Sequence, residues 1–422
     1  MIARPASKPS DVTYDRAIEI LKYKFEPLGG VEDLAVTDAL SRVLAENVLS
    51  RVQVPAFDNA AVDGYAVRTS DLAQSGEQKS SNVLPVTHTV AADAAPPTAL
   101  SNLSAARIMT GAAVPQGADA IVMQEHCVLN ENGQVEVPNR VQPGINIRRA
   151  GEDTAIGDII VRAGKRVSAT DIARVASGGI SQVRVLRKLR VGIISSGNEV
   201  QTATTAHPTA SGAVYDANGP MLQSLCAHLP VNVEFLGILP DDKTVVTDIL
   251  AEAVQKFDVI ISTGGASGGD ADHFKNTITA LGRVFVSNLA VKPGRPVTIG
   301  RIGEAAIFAL PGNPVAAFVS WCLFAHPCIS RLAGAGWPEP QRIHLPSGFD
   351  LRNRKTGRRD FYRGWLETVD GVTRAMKYPR DGSGLISGLQ AATGLIELNE
   401  STSAVGRGDM VTYWPLSQFG AS

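Results

Sequence analysis

The densest group of potential ligands is a glycine-rich loop at residues 262–272, with the sequence STGGASGGDAD, which follows an apolar run and precedes a helical pattern. Glycines let the backbone approach a ligand closely, and N–H groups near the start of a helix favour an anion. Asp270 and Asp272 would repel a bare phosphate, so they predict a divalent cation between carboxylates and anion. The loop matches neither the Walker A pattern nor the dinucleotide fingerprint. Its four glycines and two aspartates make a plain strand–helix connection the less favoured interpretation.

Further carboxylates follow two other apolar runs. Glu199 ends the segment 195–199, and Asp241 and Asp242 come directly after Pro240. Glu199 could bind a metal ion or act in acid–base chemistry, and it could equally be a solvated surface carboxylate. The pair at 241–242 is by itself more typical of a helix N-cap. Because ligands bind beyond the carboxyl ends of parallel strands, we expect these carboxylates and the glycine-rich loop to converge at one sheet edge.

Two Pro-Gly turns carry the remaining candidate ligands. The first is KPGRP at 292–296, and the second is LPGNP at 310–314. Two cations on a stiff turn present positive charge at low entropic cost, and arginine adds bidentate geometry for phosphate or another oxyanion. A lone basic turn is usually solvated surface, and the second turn could be purely architectural.

Alternating strands and helices must position these loops. After about residue 185, apolar runs of strand length at 191–194, 233–238 and 259–262 alternate with helical patterns at 220–229, 244–256 and 272–281. This alternation predicts a parallel sheet covered on both faces. The apolar tract 305–326 contains the 310–314 turn. It therefore predicts a strand, a turn and a helix, with Asn313 as N-cap and Pro314 at the first helical position, and not a membrane span.

The segments before this pattern differ in character. Apolar residues at 14, 17, 20 and 21 share one helix face, which predicts a first helix capped by Ser10 or Asp11. A second helix is predicted over 37–46. Short strands separated by proline, glycine and aspartate from 53 to 142 predict a small β-rich domain, and helical character returns at 170–177. We therefore expect the β-rich domain to be inserted into a discontinuous helical region.

The predicted fold class is α/β and multidomain. Its centre is a doubly wound, mostly parallel α/β/α sandwich domain, joined by an inserted β-rich domain, a discontinuous helical linker domain and a C-terminal β-barrel-like domain. The last domain is predicted from short β-prone runs such as 411–414. The expected boundaries are 1–52 and 142–182 for the linker domain, 53–141 for the inserted domain, 183–335 for the α/β domain and 336–422 for the C-terminal domain.

The composition excludes several classes of protein. The chain has 422 residues, 44% of them apolar, and a formal net charge of −1, which argues against nucleic-acid binding through a global basic field. The N-terminus lacks the regions of a signal peptide, so we expect a cytoplasmic protein. The cysteines at 127, 226, 322 and 328 show no zinc-type pairing and no disulfide framework, which predicts single thiols in a reducing compartment.

The segment 57–68 is, by its physics alone, a loop with turns at Asp58-Asn59 and Asp63-Gly64. Its sequence, FDNAAVDGYAVR, resembles the signature of the molybdopterin molybdenumtransferase family, whose form in animals is the E domain of gephyrin. The resemblance continues at 109–111, 123–125 and 146–153 and in the loops at 264, 292 and 310, and it covers essentially the whole chain. Ala266 stands where the family usually has valine, and Arg295 where lysine is frequent.

This resemblance implies a molybdenum insertase that is an elongated homodimer. Its substrates would be adenylylated molybdopterin and molybdate, with Mg²⁺ as cofactor and AMP as product, and its partners a molybdopterin adenylyltransferase and apo-molybdoenzymes, without nucleic acid or membrane. The implied catalytic residues are Asp272, Glu199, Asp241 and Asp153, the first three also as metal ligands. The implied substrate-binding residues are Gly264, Gly265, Ser267, Lys275, Lys292, Arg295, Thr110, Arg148, Asp58, Asp63, Pro311, Pro314 and Ser383.

Two other functions share some of these features. Molybdopterin adenylyltransferases, which transfer AMP, resemble the glycine-rich α/β part, but they are single small domains without the 57–68 motif. A gephyrin-like scaffold is the other alternative, and it finds little support in a chain without long linkers. A basic cluster precedes the C-terminal domain's later strands and predicts a solvated face for most of its members: Arg352, Arg354, Lys355, Arg358, Arg359 and Arg363.

Overall fold

The computed structural model describes residues 11–72, 81–93, 97–203, 212–265 and 273–421. Within these ranges the α-helices are α1 (Tyr14–Lys24), α2 (Ala169–Ser177), α3 (Asn218–Cys226), α4 (Lys243–Lys256), α5 (His273–Leu281), α6 (Pro314–Ser320), α7 (His326–Leu332) and α8 (Ser387–Gln390). The strands of the first half are β1 (Val31–Ala35), β2 (Val48–Leu49), β3 (Asn59–Ala60), β4 (Gly64–Val67), β5 (Ser81–Val90), β6 (Ala105–Ile108), β7 (Ala120–Met123), β8 (Val128–Leu129), β9 (Gln134–Pro138), β10 (Ile147–Arg148), β11 (Ile159–Val161) and β12 (Gln182–Leu186). Those of the second half are β13 (Leu189–Ser196), β14 (Val200–Gln201), β15 (Val214–Tyr215), β16 (Val231–Leu239), β17 (Val259–Thr263), β18 (Arg283–Ser287), β19 (Val291–Lys292), β20 (Thr298–Ile302), β21 (Ala305–Leu310), β22 (Ile343–Pro346), β23 (Arg359–Val369), β24 (Val372–Lys377), β25 (Gly394–Leu398) and β26 (Met410–Pro415).

The central sheet has the strand order β16-β13-β17-β21-β20-β18. The first four strands are parallel, and β20 is antiparallel to both of its neighbours, β21 and β18, so the prediction of a mostly parallel sheet is confirmed. Both faces are covered. Val191 and Ile261 face a cluster that includes α3 and α6, while Ile194 and Ile260 pack with α4 and α5. Burial on both faces explains why these strands are continuous apolar runs in the sequence.

A buried carboxylate lies at the amino end of this sheet. Asp258, which precedes β17, accepts hydrogen bonds from Arg187 Nη1 at 2.7 Å and from Arg190 Nη2 at 3.0 Å. Burial alone would raise the pKa of this carboxyl, but the hydrogen bonds from Arg187 and Arg190 outweigh it and hold the pKa well below its ordinary value. The carboxylate therefore stays ionised and joins the segment 187–190 to β17.

The first helix, α1, packs on the central sheet. Tyr14, Ala17 and Leu21 are buried in the same cluster as Phe308 of β21. The predicted caps at Ser10 and Asp11 are wrong, because the Thr13 side chain accepts the capping hydrogen bond from the Arg16 N–H. The apolar face was predicted correctly, and its partner is the core of the α/β domain.

The second predicted helix, at 37–46, is wrong. Only a short 3₁₀ turn forms, at Val36–Asp38, and Ser41 has a φ of 63°, a left-handed conformation that ends any helix. Val43 and Leu44 instead form β-bridges with Arg166 and Val185. The predicted linker ranges thus contain short strands as well as helices: β1 pairs with β12, β2 pairs with β11, and the capping box of α2 confirms the helix predicted at 170–177.

The inserted segment is β-rich, as predicted. Its sheet has the order β7-β4-β6-β5-β9-β8. The motif at 57–68 supplies strands β3 and β4, with bends between them, so it is a more regular structure than the loop that was predicted. β3 pairs with β10, which ties this motif to the segment that carries Arg148.

The C-terminal segment forms a curled sheet. Its order is β19-β23-β25-β26-β22, with β24 also paired to β23. A bridge between Ser347 and Ala375 brings β24 back beside the end of β22, which gives the barrel-like shape that was predicted. β19 comes from the middle of the α/β domain, so its parallel pairing with β23 attaches the 292–296 turn to the C-terminal sheet.

The structure confirms the strand, turn and helix that were predicted for the apolar tract 305–326. β21 ends at Leu310, Pro314 begins α6, and a π-helical segment at Trp321–Ala325 continues into α7. The combined helix Pro314–Leu332 is long and apolar enough to cross a membrane, but 94% of its most apolar window is buried inside the structure, as in a core helix. Asn313 occupies the N-cap position, although its side chain makes no capping hydrogen bond.

Candidate functional site

A cleft of about 810 Å³ opens at the carboxyl ends of β13, β17 and β21, and we call it the sheet-edge cleft. Among the predicted site residues, it brings together Glu199, Asp241, Gly264, Gly265, Pro311 and Pro314. Parallel strands place the loops that follow them at one edge, which is why four loops, after β13, β16, β17 and β21, meet here.

The described part of the glycine-rich loop is built around two close backbone contacts. Gly264 has a φ of 90°, and a Cβ at this position would overlap the carbonyl oxygen of Ser196. Gly265 has a φ of 63°, and its Cβ would lie 2.9 Å from the Phe274 ring. These two positions therefore require glycine, and they let the chain pass between β13 and α5 without a side chain.

Asn218, which sequence reasoning missed, joins two of the loops. Its Nδ2 donates to Thr263 Oγ1 at 2.6 Å and to the Gly312 carbonyl oxygen at 2.7 Å. The side chain is buried, and the residue begins α3. It therefore fixes the end of β17 relative to the 310–314 turn. The only sequence signal was an asparagine at the start of a predicted helix, which is also typical of an ordinary cap.

Three described carboxylates line the sheet-edge cleft, and they differ in how they are used. Asp216 accepts hydrogen bonds from Ser195 Oγ at 2.7 Å and from the N–H groups of Asn218 and Gly219, so it serves the start of α3. Asp241 accepts a hydrogen bond from Ser196 Oγ at 3.2 Å. Glu199 lines the same cleft. Glu199 and Asp241 are therefore the described carboxylates best suited to a bound cation.

Asp242, the neighbour of Asp241, has a structural role. Its carboxylate accepts hydrogen bonds from the N–H groups of Thr244 and Val245 and caps α4, as the N-cap interpretation predicted. Asp272 and Ser267 lie outside the described residues, and Lys275 lies on α5. Among the residues that the structure describes, no three potential ligands cluster tightly enough to hold a metal ion by themselves.

A second cleft, of about 550 Å³, adjoins the first, and we call it the basic cleft. It contains Lys292, Arg295 and Ser383 of the predicted site, together with Arg358 and Arg363. Pro296, Pro311 and Asn313 line both clefts, so the two Pro-Gly turns form their common wall. The second turn is therefore part of the site and not only architectural.

The cations of the basic cleft are not equivalent. Arg295 forms a two-point ion pair with Asp11, at 2.6 and 2.9 Å. Arg363 donates to the carbonyl oxygens of Leu385 at 2.7 Å and Arg380 at 2.9 Å, and so shapes the loop that carries Ser383. Within the described ranges Lys292 forms no salt bridge. Lys292 is thus the cation most available to an anion in this cleft.

The prediction of a solvated basic face is wrong for half of its cluster. Arg354, Arg359 and Arg363 are only 8%, 8% and 6% exposed. Arg354 pairs with Asp360 at 3.0 Å, and Arg359 pairs with Asp15 at 2.8 Å. Buried arginines need such partners, and the partners are supplied by the fold and not by adjacent sequence.

The predicted site residues of the inserted segment lie outside both clefts. Asp58 accepts hydrogen bonds from the Ala150 N–H at 2.8 Å and from Arg149 at 2.6 Å, and the first of these lowers its pKa most. Asp63 accepts two hydrogen bonds from Thr110, both at 2.7 Å. Both aspartates thus organise their own loops. Of the predicted residues that the structure describes, those that line neither cleft are Asp58, Asp63, Thr110, Arg148, Asp153 and Lys275.

The fold and the clefts together define a multidomain α/β protein with two adjoining clefts at the edge of its central sheet. Three family models match successive parts of the chain. Residues 12–179 match the MoeA N-terminal region (domain I and II), 192–331 a probable molybdopterin binding domain, and 348–416 the MoeA C-terminal region (domain IV).

Individual relatives are of the same family as these models. The chain is 34% identical over 392 residues to a molybdopterin molybdenumtransferase of Haemophilus influenzae, covering 92% of this chain and 94% of the relative. It is 33% identical to molybdopterin molybdenumtransferase 2 of Mycobacterium tuberculosis, over 90% and 94%. A crystal structure of the molybdopterin biosynthesis protein moeA of Pyrococcus horikoshii OT3 superposes with a TM-score of 0.82 at 28% identity, over 96% of this chain and 100% of that one. The chain belongs to the molybdopterin molybdenumtransferase family.

Proposed function

We propose that the protein inserts molybdenum from molybdate into adenylylated molybdopterin, with Mg²⁺ as cofactor, and releases AMP in molybdenum cofactor biosynthesis. The observation that carries this proposal is the common wall of the two clefts. The sheet-edge cleft offers a glycine backbone without side chains, at Gly264 and Gly265, and carboxylates, which suit a pyrophosphate with its cation. The basic cleft offers Lys292 and arginines, which suit a tetrahedral dianion such as molybdate. A transferase must hold both substrates side by side, and adjoining clefts do so.

Glu199 and Asp241 fit the donor set that Mg²⁺ requires. Magnesium is usually held by one or two carboxylates, by water and by substrate phosphate oxygens, so a complete cage of protein ligands is not needed. We propose Asp272 as the third carboxylate, since it ends the glycine-rich loop. When bound, the cation would neutralise charge on the phosphoanhydride as it breaks.

The residues of the chain have separate tasks in this proposal. The backbone at Gly264 and Gly265 cradles phosphate, and Asn218 keeps that loop against the common wall. Lys292, with the neighbouring Arg358, holds the oxyanion. Water cleaves the phosphoanhydride and releases AMP, and the two dithiolene thiols replace one oxo ligand of molybdate, which leaves with their protons as water. Pairing the two steps in one site prevents loss of the activated pterin before the metal arrives.

The test combines purified protein, adenylylated molybdopterin, molybdate and Mg²⁺, and follows both AMP and the reconstitution of an apo-molybdoenzyme. Asp272→Asn and Glu199→Gln should abolish insertion in a folded protein. Asp242→Asn is the matched control, because this neighbouring carboxylate caps a helix, and it should retain activity. Wild-type protein that releases no AMP would refute the proposal. Formation of adenylylated product from ATP and molybdopterin would favour the adenylyltransferase alternative, and binding without turnover a scaffold.

We further propose that the active protein is a cytoplasmic homodimer whose partner subunit completes the site. Asp58, Asp63, Thr110 and Arg148 line neither cleft of their own chain, although the family resemblance implies that they serve the site. An exposed apolar patch supports self-association, because Leu49 and Ile159 face each other across β2 and β11 and are 49% and 43% exposed. Molybdopterin adenylyltransferase would supply the substrate, and apo-molybdoenzymes would receive the product.

Complementation tests the shared site. An Asp272→Asn chain is mixed with a chain that carries both Asp58→Asn and Asp63→Asn. If the site is shared, each mixed dimer has one site without substitutions and should regain activity at about one of its two sites. No recovery, with inactive parents and demonstrated subunit exchange, would show that each site belongs to a single chain.

A further inference from the structure

The ammonium group of Lys292 lies over an aromatic ring. Its Nζ is 5.9 Å from the centre of the Tyr362 ring, and both residues line the basic cleft. The contact follows from strand register. β19 runs parallel to β23 with Lys292 opposite Asp360, so Tyr362, two residues further along β23, is on the same face of that strand as Asp360.

The Tyr362 ring is held from behind by a buried network. Its hydroxyl donates to Asp360 Oδ2 at 3.0 Å, and Asp360 is only 1% exposed. Arg354 donates from Nε to the same carboxylate at 3.0 Å and from Nη1 to the Asn399 carbonyl oxygen at 2.7 Å. The ring is therefore fixed by the core of the C-terminal domain, independently of any ligand in the cleft.

Other basic groups near this wall already have anionic or carbonyl partners. Arg295 pairs with Asp11, Arg363 with two carbonyl oxygens, and Lys377 with Asp381 at 2.8 Å. Lys292 differs, since no salt bridge to it occurs within the described residues. A lysine has a long flexible stem, and ordering such a side chain costs binding free energy. The Tyr362 ring offers Lys292 an attractive contact, at 5.9 Å, and it also carries Lys377, whose Nζ lies 5.1 Å from the ring centre and is paired with Asp381.

An aromatic ring restrains a cation without neutralising it. A carboxylate at the same place would hold Lys292 more tightly, but it would cancel the charge that an oxyanion needs. Burial, with Asp360 beside the hydroxyl, raises the pKa of Tyr362 well above its ordinary value, so the phenol stays neutral. The full charge of the lysine thus remains directed to the cleft.

We propose that Tyr362 is a positioning residue for oxyanion binding, whose ring holds Lys292 ready for a tetrahedral dianion before that ligand arrives. The inference rests on the proposed function, in which this dianion is molybdate. It assigns Tyr362 to binding and not to the chemical step. Its loss should therefore raise KM for molybdate and leave kcat at saturating molybdate nearly unchanged.

The experiment measures molybdate binding by titration calorimetry and insertion kinetics on the full chain. Tyr362→Leu, which removes the ring, should weaken molybdate binding about tenfold and raise KM by the same factor, with kcat within about twofold. Tyr362→Phe keeps the ring and should stay close to wild type. Tyr362→Met fills the same space without a ring and serves if the leucine variant does not fold. Removal of Lys292 supplies the decisive control, since Tyr362→Leu should weaken binding no further in a Lys292→Ala background.

Several results would overturn the inference. One is wild-type molybdate affinity in folded Tyr362→Leu or Tyr362→Met. Another is full additivity of the Lys292 and Tyr362 substitutions, which would mean that the two side chains act separately. A fall in kcat with unchanged KM would place Tyr362 in the chemical step instead. These outcomes leave the proposed function intact, which fails only if the wild-type protein neither binds molybdate nor inserts it.

Discussion

Asn218→Ala should loosen the glycine-rich loop from the common wall of the two clefts while the protein stays folded. Both N–H groups of the Asn218 amide are in use, one to Thr263 Oγ1 at 2.6 Å and one to the Gly312 carbonyl oxygen at 2.7 Å. Because a carbonyl oxygen can only accept, the orientation of this amide is unambiguous. One side chain therefore joins the end of β17 to the 310–314 turn.

The free energy of unfolding that Asn218→Ala should lose comes from two hydrogen bonds. The hydrogen bond to Thr263 is fully buried, and its loss should cost about 1 to 1.5 kcal/mol. The bond to Gly312 is only partly buried, and its loss should cost about 0.5 to 1 kcal/mol, since water can replace it. A total near 2 kcal/mol leaves most domains folded. The reaction should suffer more, because a displacement of about 1 Å between reacting groups can slow a reaction about 100-fold.

The assay pairs chemical unfolding with insertion kinetics. We expect kcat to fall between about tenfold and 100-fold, while molybdate affinity stays close to wild type because Lys292 lies on the other Pro-Gly turn, at 292–296, which Asn218 does not contact. Thr263→Val removes one of the two hydrogen bonds from the other side with little change in shape. The two substitutions should therefore be less than additive in a double-mutant cycle. A variant that loses about 2 kcal/mol of stability yet keeps wild-type kcat would refute the reasoning, since Asn218 would then only stabilise the fold.

Three shorter predictions test other parts of the structure. Gly264→Ala should abolish insertion, because its Cβ would overlap a backbone carbonyl that cannot turn aside, whereas Gly157→Ala, at a φ of 86° but in open space, should keep activity in the same assay. Asp258→Asn should destabilise the protein by about 1 to 2 kcal/mol near pH 7 after allowance for its partly exposed arginine partners. Since the pKa of Asp258 is lowered by folding, its contribution is present above about pH 4 and is lost as the pH falls further, so the difference in unfolding free energy should shrink near pH 3. Leu49→Glu should convert a homodimer to monomers in sedimentation, and an unchanged mass would place the interface elsewhere.

The parts of the fold that could be predicted are those whose cause is local in the sequence. β13 at 191–194, β17 at 259–261 and all of β21 are buried on both faces, so these stretches are continuous apolar runs. Pro314 marks the start of α6, because a residue without an N–H group fits the first turn of a helix. The glycines of the glycine-rich loop indicate close backbone contact. The helix expected at 37–46 failed because a single left-handed residue, Ser41, overrides an acceptable helical pattern.

The parts of the site that could not be predicted depend on distant partners. Asn218 gains its role from Thr263 and Gly312, which are 45 and 94 positions away. Asp360 and Tyr362 belong to what looks like a charged, solvated run, and only the folded C-terminal sheet reveals that Arg354 and Asp360 form a buried pair. No periodicity marks such residues, because their neighbours are set by sheet topology.

The placement of the 292–296 turn explains why the basic cleft needs more than the α/β domain. The turn connects β18 to β20 within the central sheet, yet β19 at its start is paired with β23 of the C-terminal sheet. Arg295 is in turn fixed by Asp11, which precedes α1. The sheet-edge cleft depends mainly on the ends of the central strands, whereas the basic cleft exists only where the C-terminal sheet docks. A loss of this docking would therefore remove the oxyanion site before it disturbs the phosphate site, and the order in which the two ligands are lost under mild denaturant should reveal it.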